Sequence, residues 1–461
     1  MLSADIYIRR RNQLKKQIRS GIVLFLGNDE SPINFADNPY RFRQDSSFLY
    51  FFGLDMPGLS AVIDIDQDED ILFGNDIDVS DIIWMGPQIM LKARAQEVGV
   101  NRTCSTGELE SFLNVCLNQR RNIHFLPSYR WETQLKIQNL LGIQPAAANN
   151  YASIALIKAV IEQRSVKIQE EIDEIEAALE ITCEMQTAVM RMVRPGLNEK
   201  EIAGHIEGIA LTHGCPLAFP MILTVNGQIL HNHYQGNVLK KGQMLVNDSG
   251  SESPLRYASD VTRTVPVDKR FTQEQKDIYD LVLKAQETAI QSIEPGIKYR
   301  DIHAKTARII AQGLKDLDFL RGDIDKILAA GAHALYFPHG LGHLLGLDVH
   351  DMESLGEDYI GYDEKTARSD QFGFSQLRYG KELKANLVLT VEPGIYFIPA
   401  LIDKWRSERK HEAFINYDKA EQFKSFGGIR IEDDVLVTQT GSRVLGRAIP
   451  KKIDEIERMK D

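Results

Sequence analysis

Carboxylates placed where carboxylates are costly are the first chemistry this sequence offers. Asp248 closes the apolar run MLVND, Asp260 sits in YASDVTRT, Glu392 follows LVLTV, and Glu432 lies within GIRIEDDVLV. An isolated carboxylate in an apolar strand is unstable unless it is paired or bound to a metal. The stretch HGLGHLLGLDVHD, residues 339–351, adds His339, His343 and His350. A zinc helix of the HExxH kind is disfavoured, because position 340 is Gly and not Glu. Gly340, Gly342 and Gly346 also work against a helix, at about 1 kcal/mol each. His339 and His343 therefore read as members of an extended or turning segment that points into a pocket. Two Asp, two Glu and His343 make a hard, oxygen-rich donor set that suits Mn2+, ahead of Co2+, Fe2+ or Zn2+. Four carboxylates also balance two divalent ions, which points to a two-metal hydrolytic site. Taken singly, each acid reads as a salt-bridged or exposed residue; their shared context changes the reading.

Those residues need elements to bring them together, and the second part of the chain repeats itself. RPGLNEKEIAGHIEGIALTHG, from Arg194, resembles EPGIKYRDIHAKTARIIAQG, from Glu294. Each follows a helix, turns at Pro-Gly and opens another helix. Asn198 with Glu201, and Thr272 with Gln275, form capping boxes, and Gly214 is the expected helix stop. Strand-like runs follow each pair: MLVNDSG and YASDVTRTVPV, then LVLTVEPGIYF and GIRIEDDVLV. A duplicated α+β domain is the expectation, with its site at the seam between the halves. Upstream, GIVLFLG, FLYFFGL and LSAVIDID read as strands among helices, an N-terminal α/β domain. PAAANNYAS, residues 145–153, reads as a linker, so domains are expected at 1–155 and 156–461. A long helix is expected from near Val160 to about Met192.

Bulk properties narrow the function classes. At 461 residues the chain is long enough for two domains. With 43% apolar and 26% charged residues it is an ordinary globular composition. A net charge of -11 argues against a nucleic-acid partner. The basic group Arg9–Arg11, Lys15, Lys16 and Arg19 reads as the solvated face of a helix. No run approaches the ~20 apolar residues of a membrane span. The start MLSADIYIRRRNQ has no apolar signal region, and the four cysteines lack CxxC spacing, so a cytoplasmic location is expected.

The ordered set NDSG…YASDVTRT, HGLGHLLGLDVHD, TVEPGIYF and GIRIEDD resembles the metallopeptidases of the methionine aminopeptidase, aminopeptidase P and prolidase family. The resemblance implies a pita-bread fold, an internally duplicated α+β domain. PYRFRQDSSFLYFFGLDMPG resembles the non-catalytic N-terminal domain of aminopeptidase P and prolidase, so the likeness covers the whole chain. It implies Asp248 as a terminal ligand of one metal, Asp260 and Glu432 as bridges between both metals, and His343 and Glu392 as the ligands that complete the second metal's coordination. Glu392 would also act as base. His231, in VNGQILHNHY, would face the scissile bond, while His339 and His350 would line the pocket and shuttle protons. Arg430, two residues from Glu432, would steady the ligands. Asp433 would point to the opposite face and Asp434 back to that of Glu432. The remaining histidines His213, His233, His303, His333 and His411 are expected to be surface or packed residues. The turn SESPLR after Asp248 is one residue longer than in relatives and is expected to bulge.

The resemblance implies cleavage at Xaa-Pro bonds with two divalent cations, and a dimer or higher oligomer of identical chains. Two activities stay open. An aminopeptidase would remove the first residue of longer Xaa-Pro-Yaa peptides, and it is the preferred reading. A dipeptidase would split Xaa-Pro dipeptides, and Arg378, in SQLRYGKEL, stands where such enzymes place an arginine for the substrate carboxylate. A non-catalytic binding protein of the same fold, or a metal-free C–N hydrolase, is disfavoured because all five ligand candidates are present.

Overall fold

A computed structural model describes residues 1–461 of the protein. The chain forms two compact units. One comprises Met1–Arg164 with Met352–Tyr359, the other Ser165–Asp351 with Ile360–Asp461.

The first unit is built on a five-stranded sheet in the order β4-β3-β2-β1-β5. Its strands are β1 (Ile22–Leu26), β2 (Ser60–Asp64), β3 (Glu69–Phe73), β4 (Arg102–Cys104) and β5 (Ile123–His124). β1, β2 and β3 pair antiparallel, while β4 and β5 join the edges in parallel. Alternation in β1 sends Ile22 and Leu24 into a core with Val62, Ile71, Phe73, Leu109 and Leu113. Phe25 faces the other way, 5.0 Å from Phe51, as the two-residue strand period requires.

Three sequence expectations fail in this unit for physical reasons. The run FLYFF is a helix, Ser46–Phe52, buried along its whole length. Periodicity cannot separate a buried helix from a buried strand in so short an apolar run. The ends decide: the Asp45 side chain accepts from Phe48 N at 2.9 Å, and Gly53 stops the helix at φ 64. The basic patch is only partly solvated. Arg10 stacks over the Tyr50 ring at 3.8 Å, and Arg11 is fully buried. The Arg11 guanidinium donates to Asp70 at 2.7 Å and to the carbonyls of Phe51, Val98 and Gly99 at 2.9–3.1 Å. Residues 145–153 are no free linker, because Pro145–Tyr151 is a 3-10 helix whose Ala148 lies in the core.

The second unit carries the repeat. The helix expected from Val160 to Met192 is two helices, Ile154–Ser165, which belongs to the first unit as far as Arg164, and Gln169–Met192, which belongs to the second. The break occurs where Val166 bridges Leu387 and the Glu171 carboxylate caps Ile168 N at 3.1 Å. The apolar stretch Leu217–Val225 yields only a short strand, β6 (Ile222–Thr224). It pairs with β7 (Met244–Ser249), and β7 pairs with β8 (Val261–Pro266), all antiparallel. The second copy has β9 (Val388–Val391), β10 (Gly394–Tyr396), β11 (Gly428–Arg430), β12 (Asp433–Val437) and β13 (Ser442–Val444). These form a β13-β12-β9 sheet and a β10-β11 ribbon.

The helix pairs repeat almost bond for bond. Gly196 and Gly296 both adopt φ 92, where a side chain is disfavoured. Gly196 N donates to Leu239 O at 2.9 Å, and Gly296 N to Leu383 O at 2.9 Å. Leu239 N then returns to Leu197 O, and Leu383 N to Ile297 O, each at 2.8 Å. The halves are joined where β8 meets residues 430–432. Thr264 Oγ1 donates to Arg430 O at 3.0 Å, Glu432 N to Thr262 O at 3.1 Å, and Arg263 Nη1 to Glu432 O at 2.6 Å. The duplicated α+β architecture is as expected, and its seam runs past Glu432.

Arg11 makes the first unit testable. Arg11→Met strands three carbonyls and leaves Asp70 with Lys15, 2.9 Å away, as its one remaining cation, so it should cost about 3 kcal/mol, as removing one partner of a buried pair does. Hydrogen exchange of Ala4–Ile18 and of β3 measures this, with the exposed Arg9→Ala as control, expected within about 0.5 kcal/mol of the parent.

Candidate metal centre

Strand ends deliver the acids. Asp248 lies in β7 opposite Thr262 of β8, and Asp260 immediately precedes β8. Glu392 leaves the end of β9, and Glu432 sits between β11 and β12. His343 arrives on a non-helical segment, as its glycines predict, and that segment is fastened to β9. His343 N donates to Thr390 Oγ1 at 3.1 Å, Thr390 N to His343 O at 2.9 Å, and Glu392 N to Leu341 O at 2.8 Å. Gly342 permits this approach, since a Cβ there would sit 2.0 Å from Thr390 O.

The side chains converge in a buried cluster. Ligand atoms of Asp260, His343 and Glu432 all lie within 4.8 Å of one another. His343 Nε2 is 3.5 Å from Asp260 Oδ2 and 3.6 Å from Glu392 Oε1. Its Nδ1 is 3.1 Å from Leu344 O, which can only accept, so the proton sits on Nδ1 and Nε2 presents a lone pair to the acids. Asp248 enters from the side of Arg430, whose Nη2 donates to Asp248 Oδ2 at 2.5 Å.

This cluster repels itself. Burial, then Asp248, Asp434 and Glu392, push the Asp260 carboxyl well above the usual range. Burial, then Asp260, Glu392 and Asp248, do the same to Glu432. Burial also raises Glu392, against the pull of His343 and Arg430. Asp248 Oδ1 and Asp260 Oδ1 are buried with no hydrogen-bond partner. Orphaned carboxylate oxygens are rare in folded proteins and call for an ion or water. The donors present therefore fit hard divalent cations.

Around the acids runs a hydrogen-bonded frame that sequence reasoning found only in part. Arg430 was anticipated; Thr262, Thr390 and Tyr396 were not. Arg430 Nε donates to Thr262 Oγ1 at 3.1 Å, and that hydroxyl donates to Glu432 Oε2 at 2.6 Å. Arg430 Nη1 donates to Tyr396 OH at 3.0 Å, and Tyr396 OH lies 2.8 Å from His339 Nε2. His339 Nδ1 is 2.7 Å from Gly340 O, so its proton is fixed there and Tyr396 donates to Nε2. Burial, then Arg430, hold His339 neutral by lowering it to about 3. Only its alternating position could have flagged Thr262, and a hydroxyl in a strand is too common to stand out.

The other candidates fall around this frame. The His350 ring stands 4.4 Å from that of His343, edge to face. His231 is open to solvent at the rim, its imidazole lowered by burial of its inner side and then by Arg430, with Asp248, His350 and Arg378 also in electrostatic reach. Arg378 is half-buried, and its charge acts on His231, His343 and Glu392. Asp433 faces away, as expected: Arg263 and Lys451 hold it at 2.6 Å and lower it to about 2. Asp434 accepts from Asp260 N at 3.0 Å, so it supports the backbone of a candidate ligand. After Asp248 the chain turns through Arg256 at φ 71, and Glu252 bridges Ala258. His213 and His233 face solvent, while His303 and His333 are packed against Phe374.

Comparison with known proteins identifies the family and the fold. Residues 173–439 match the model of metallopeptidase family M24, and residues 7–124 that of the aminopeptidase P N-terminal domain. The chain is 32% identical to the Xaa-Pro aminopeptidase of Escherichia coli (strain K12), covering 99% of this chain and 97% of that one. It is 31% identical to the Xaa-Pro dipeptidase of Homo sapiens, covering 95% and 88%. Among solved structures, zinc-substituted E. coli aminopeptidase P in complex with product superposes with a TM-score of 0.81 at 30% identity, over 99% of this chain and 98% of that one. Aminopeptidase PepP of Pseudomonas aeruginosa gives 0.82 at 28% identity over the same shares. A duplicated α+β unit, a buried cluster of acids at its seam and these likenesses agree: the chain belongs to metallopeptidase family M24, with an N-terminal domain of the aminopeptidase P type.

Proposed function

We propose that the protein is an Xaa-Pro aminopeptidase that removes the residue preceding a penultimate proline, using two divalent cations, Mn2+ by preference. The observation that carries the reading is the convergence of Asp260, His343 and Glu432 within 4.8 Å, with Asp248 and Glu392 beside them. These five residues would hold the cations. When bound, divalent cations supply Lewis acidity and an acidified water.

The chain's own groups do the rest. Glu392 keeps part of its surface open, its carboxyl raised by burial, which suits a group that takes a proton at Oε and later gives it up. His231 and His350, at the rim, would donate to the oxygen of the scissile carbonyl as charge develops. The leaving proline nitrogen must be protonated, and Glu392, having taken the proton, would be the acid that returns it. Because the Xaa-Pro bond has no N–H, a site that reads ring shape instead of that donor gains its preference there. Arg430 keeps Asp248 aimed, and the neutral His339 anchors the frame through Tyr396. A homodimer or larger homo-oligomer is the proposed assembly. No helix is long and apolar enough to cross a membrane; the four scattered cysteines, without CxxC spacing, favour a reducing, cytoplasmic setting.

The second reading, an Xaa-Pro dipeptidase, is favoured by one observation: the Arg378 charge acts on His231, His343 and Glu392. With Mn2+ added, an Xaa-Pro-Yaa tripeptide should be turned over at least about tenfold more efficiently than an Xaa-Pro dipeptide; the reverse order selects the dipeptidase, as a difference in transition-state binding. Asp260→Ala should abolish turnover with the circular dichroism spectrum unchanged, and an unaltered rate would refute the site. Arg378→Ala tests the second reading by itself. A dipeptide KM raised about tenfold at constant kcat, the mark of lost uniform binding, would identify its guanidinium as the carboxylate anchor.

The raised carboxyls give a pH signature. An acid whose folded pKa exceeds its unfolded value contributes stability below about pH 4 and loses it as pH rises through the folded value. Without metal, Tm should therefore fall as pH rises above the ordinary carboxylate range, about 4, and Mn2+ should remove the fall. A gap between metal-free and Mn2+-loaded Tm that does not widen with pH would contradict it.

A further inference from the structure

Lys167 and Asp351 form an ion pair sealed from solvent. Nζ lies 2.8 Å from Oδ2, and each side chain is 1% exposed. Burying two charges costs several kcal/mol per ion before their attraction is counted, and an apolar pair of equal volume is often at least as stable. Stability alone therefore does not account for the pair, and its surroundings show what it holds in place.

Asp351 directly follows His350, and it ties the end of the histidine segment to its beginning. Asp351 N donates to Leu344 O at 3.0 Å, Asp348 N to Asp351 Oδ1 at 3.3 Å, and Gly346 N to Asp348 O at 3.1 Å. The closed loop rests on the strand that ends in Glu392, through Leu345 N to Val388 O at 3.0 Å. Lys167 is fixed to the same run of chain, its N donating to Asn386 O at 2.8 Å while Val166 bridges Leu387. Gly346 closes directly on the pair: a Cβ there would lie 2.5 Å from Asp351 Oδ2 and 2.9 Å from Lys167 Nζ. Its carbonyl accepts from Ala258 N at 2.8 Å, two residues before Asp260. His350 leaves this loop with its ring 4.4 Å from that of His343, at 73°.

We propose that the buried Lys167–Asp351 pair is a positioning device that sets the His350 ring against His343 by locking the 344–351 loop to the strand bearing Glu392. Lys167 and Asp351 are positioning residues; they touch no reacting atom. The consequence for turnover rests on the peptidase reading above, whereas the placement of His350 does not.

The test combines Lys167→Met and Gly346→Ala with His350→Ala, each protein assayed on an Xaa-Pro-Yaa tripeptide with Mn2+. Separately, carbethoxylation of His350 by diethylpyrocarbonate is followed by peptide mass spectrometry. Lys167→Met should lower kcat at least about tenfold, within the ~10²–10⁴ that a proton-transferring group contributes, with KM within about threefold. In the His350→Ala background it should lower kcat no further, and the labelling rate of His350 should rise in the single variant. Gly346→Ala, which crowds the pair without removing a charge, should give the same pattern and serves if Lys167→Met does not fold. Unchanged labelling of His350, or losses that multiply in the His350→Ala background, would overturn the proposal. If the parent protein cleaves no peptide, the peptidase reading fails while the labelling still decides this one.

Discussion

Mutual repulsion among buried carboxylates is the constraint on which the rest of this structure depends. Burial first raises the proton affinity of Asp260, Glu392 and Glu432; Asp248 adds to each, Glu392 adds to Asp260, and Asp260 with Glu392 adds to Glu432. Coulomb energy between charges a few ångströms apart is large where water is excluded. A fold that brings such groups together without a counter-charge would be selected against, unless a cation or protons complete it. The duplicated architecture makes the gathering possible, because each half contributes acids at the ends of its strands. Neither half holds the set alone.

The way single charges are treated within a few residues shows the distinction between structural and chemical acids. Asp433 is met by Arg263, Lys451 and Gln286 and falls to about 2. Its neighbours Glu432 and Asp434 are raised well above the ordinary range. Strand alternation sends Asp433 to the side where cations are supplied and Glu432 to the side where they are withheld. The arginine that does approach the cluster, Arg430, spreads its donors over Asp248, Thr262 and Tyr396. It fixes geometry at several points and leaves most of the acidic charge uncompensated. A lysine could not reproduce that planar fork.

Much of this was legible in the sequence because burying an acid leaves a mark: Asp248, Asp260, Glu392 and Glu432 lie within or at the end of strand-like runs rich in apolar residues. The helix pairs were legible through Pro-Gly turns and capping boxes, and both turns carry the same φ and the same bonds. Arg430 was readable from its two-residue offset to Glu432. Thr262 and Tyr396 were not, since their types are ordinary in strands and only their three-dimensional neighbours single them out. The helix Ser46–Phe52 was misread because an apolar run as short as FLYFF carries no period. Arg11 was misread as solvated because charge patterning cannot see the carboxylate and three carbonyls waiting for it. Lys167 gave no signal for the same reason: its partner lies far along the chain.

Crystals of the protein equilibrated with Mn2+, measured for anomalous scattering at the manganese edge, test the central claim most directly. The account predicts two anomalous peaks in the seam, with Asp248, Asp260, His343, Glu392 and Glu432 between them supplying the protein ligands. An empty seam under saturating Mn2+, or peaks bound elsewhere with these five side chains unengaged, would contradict it.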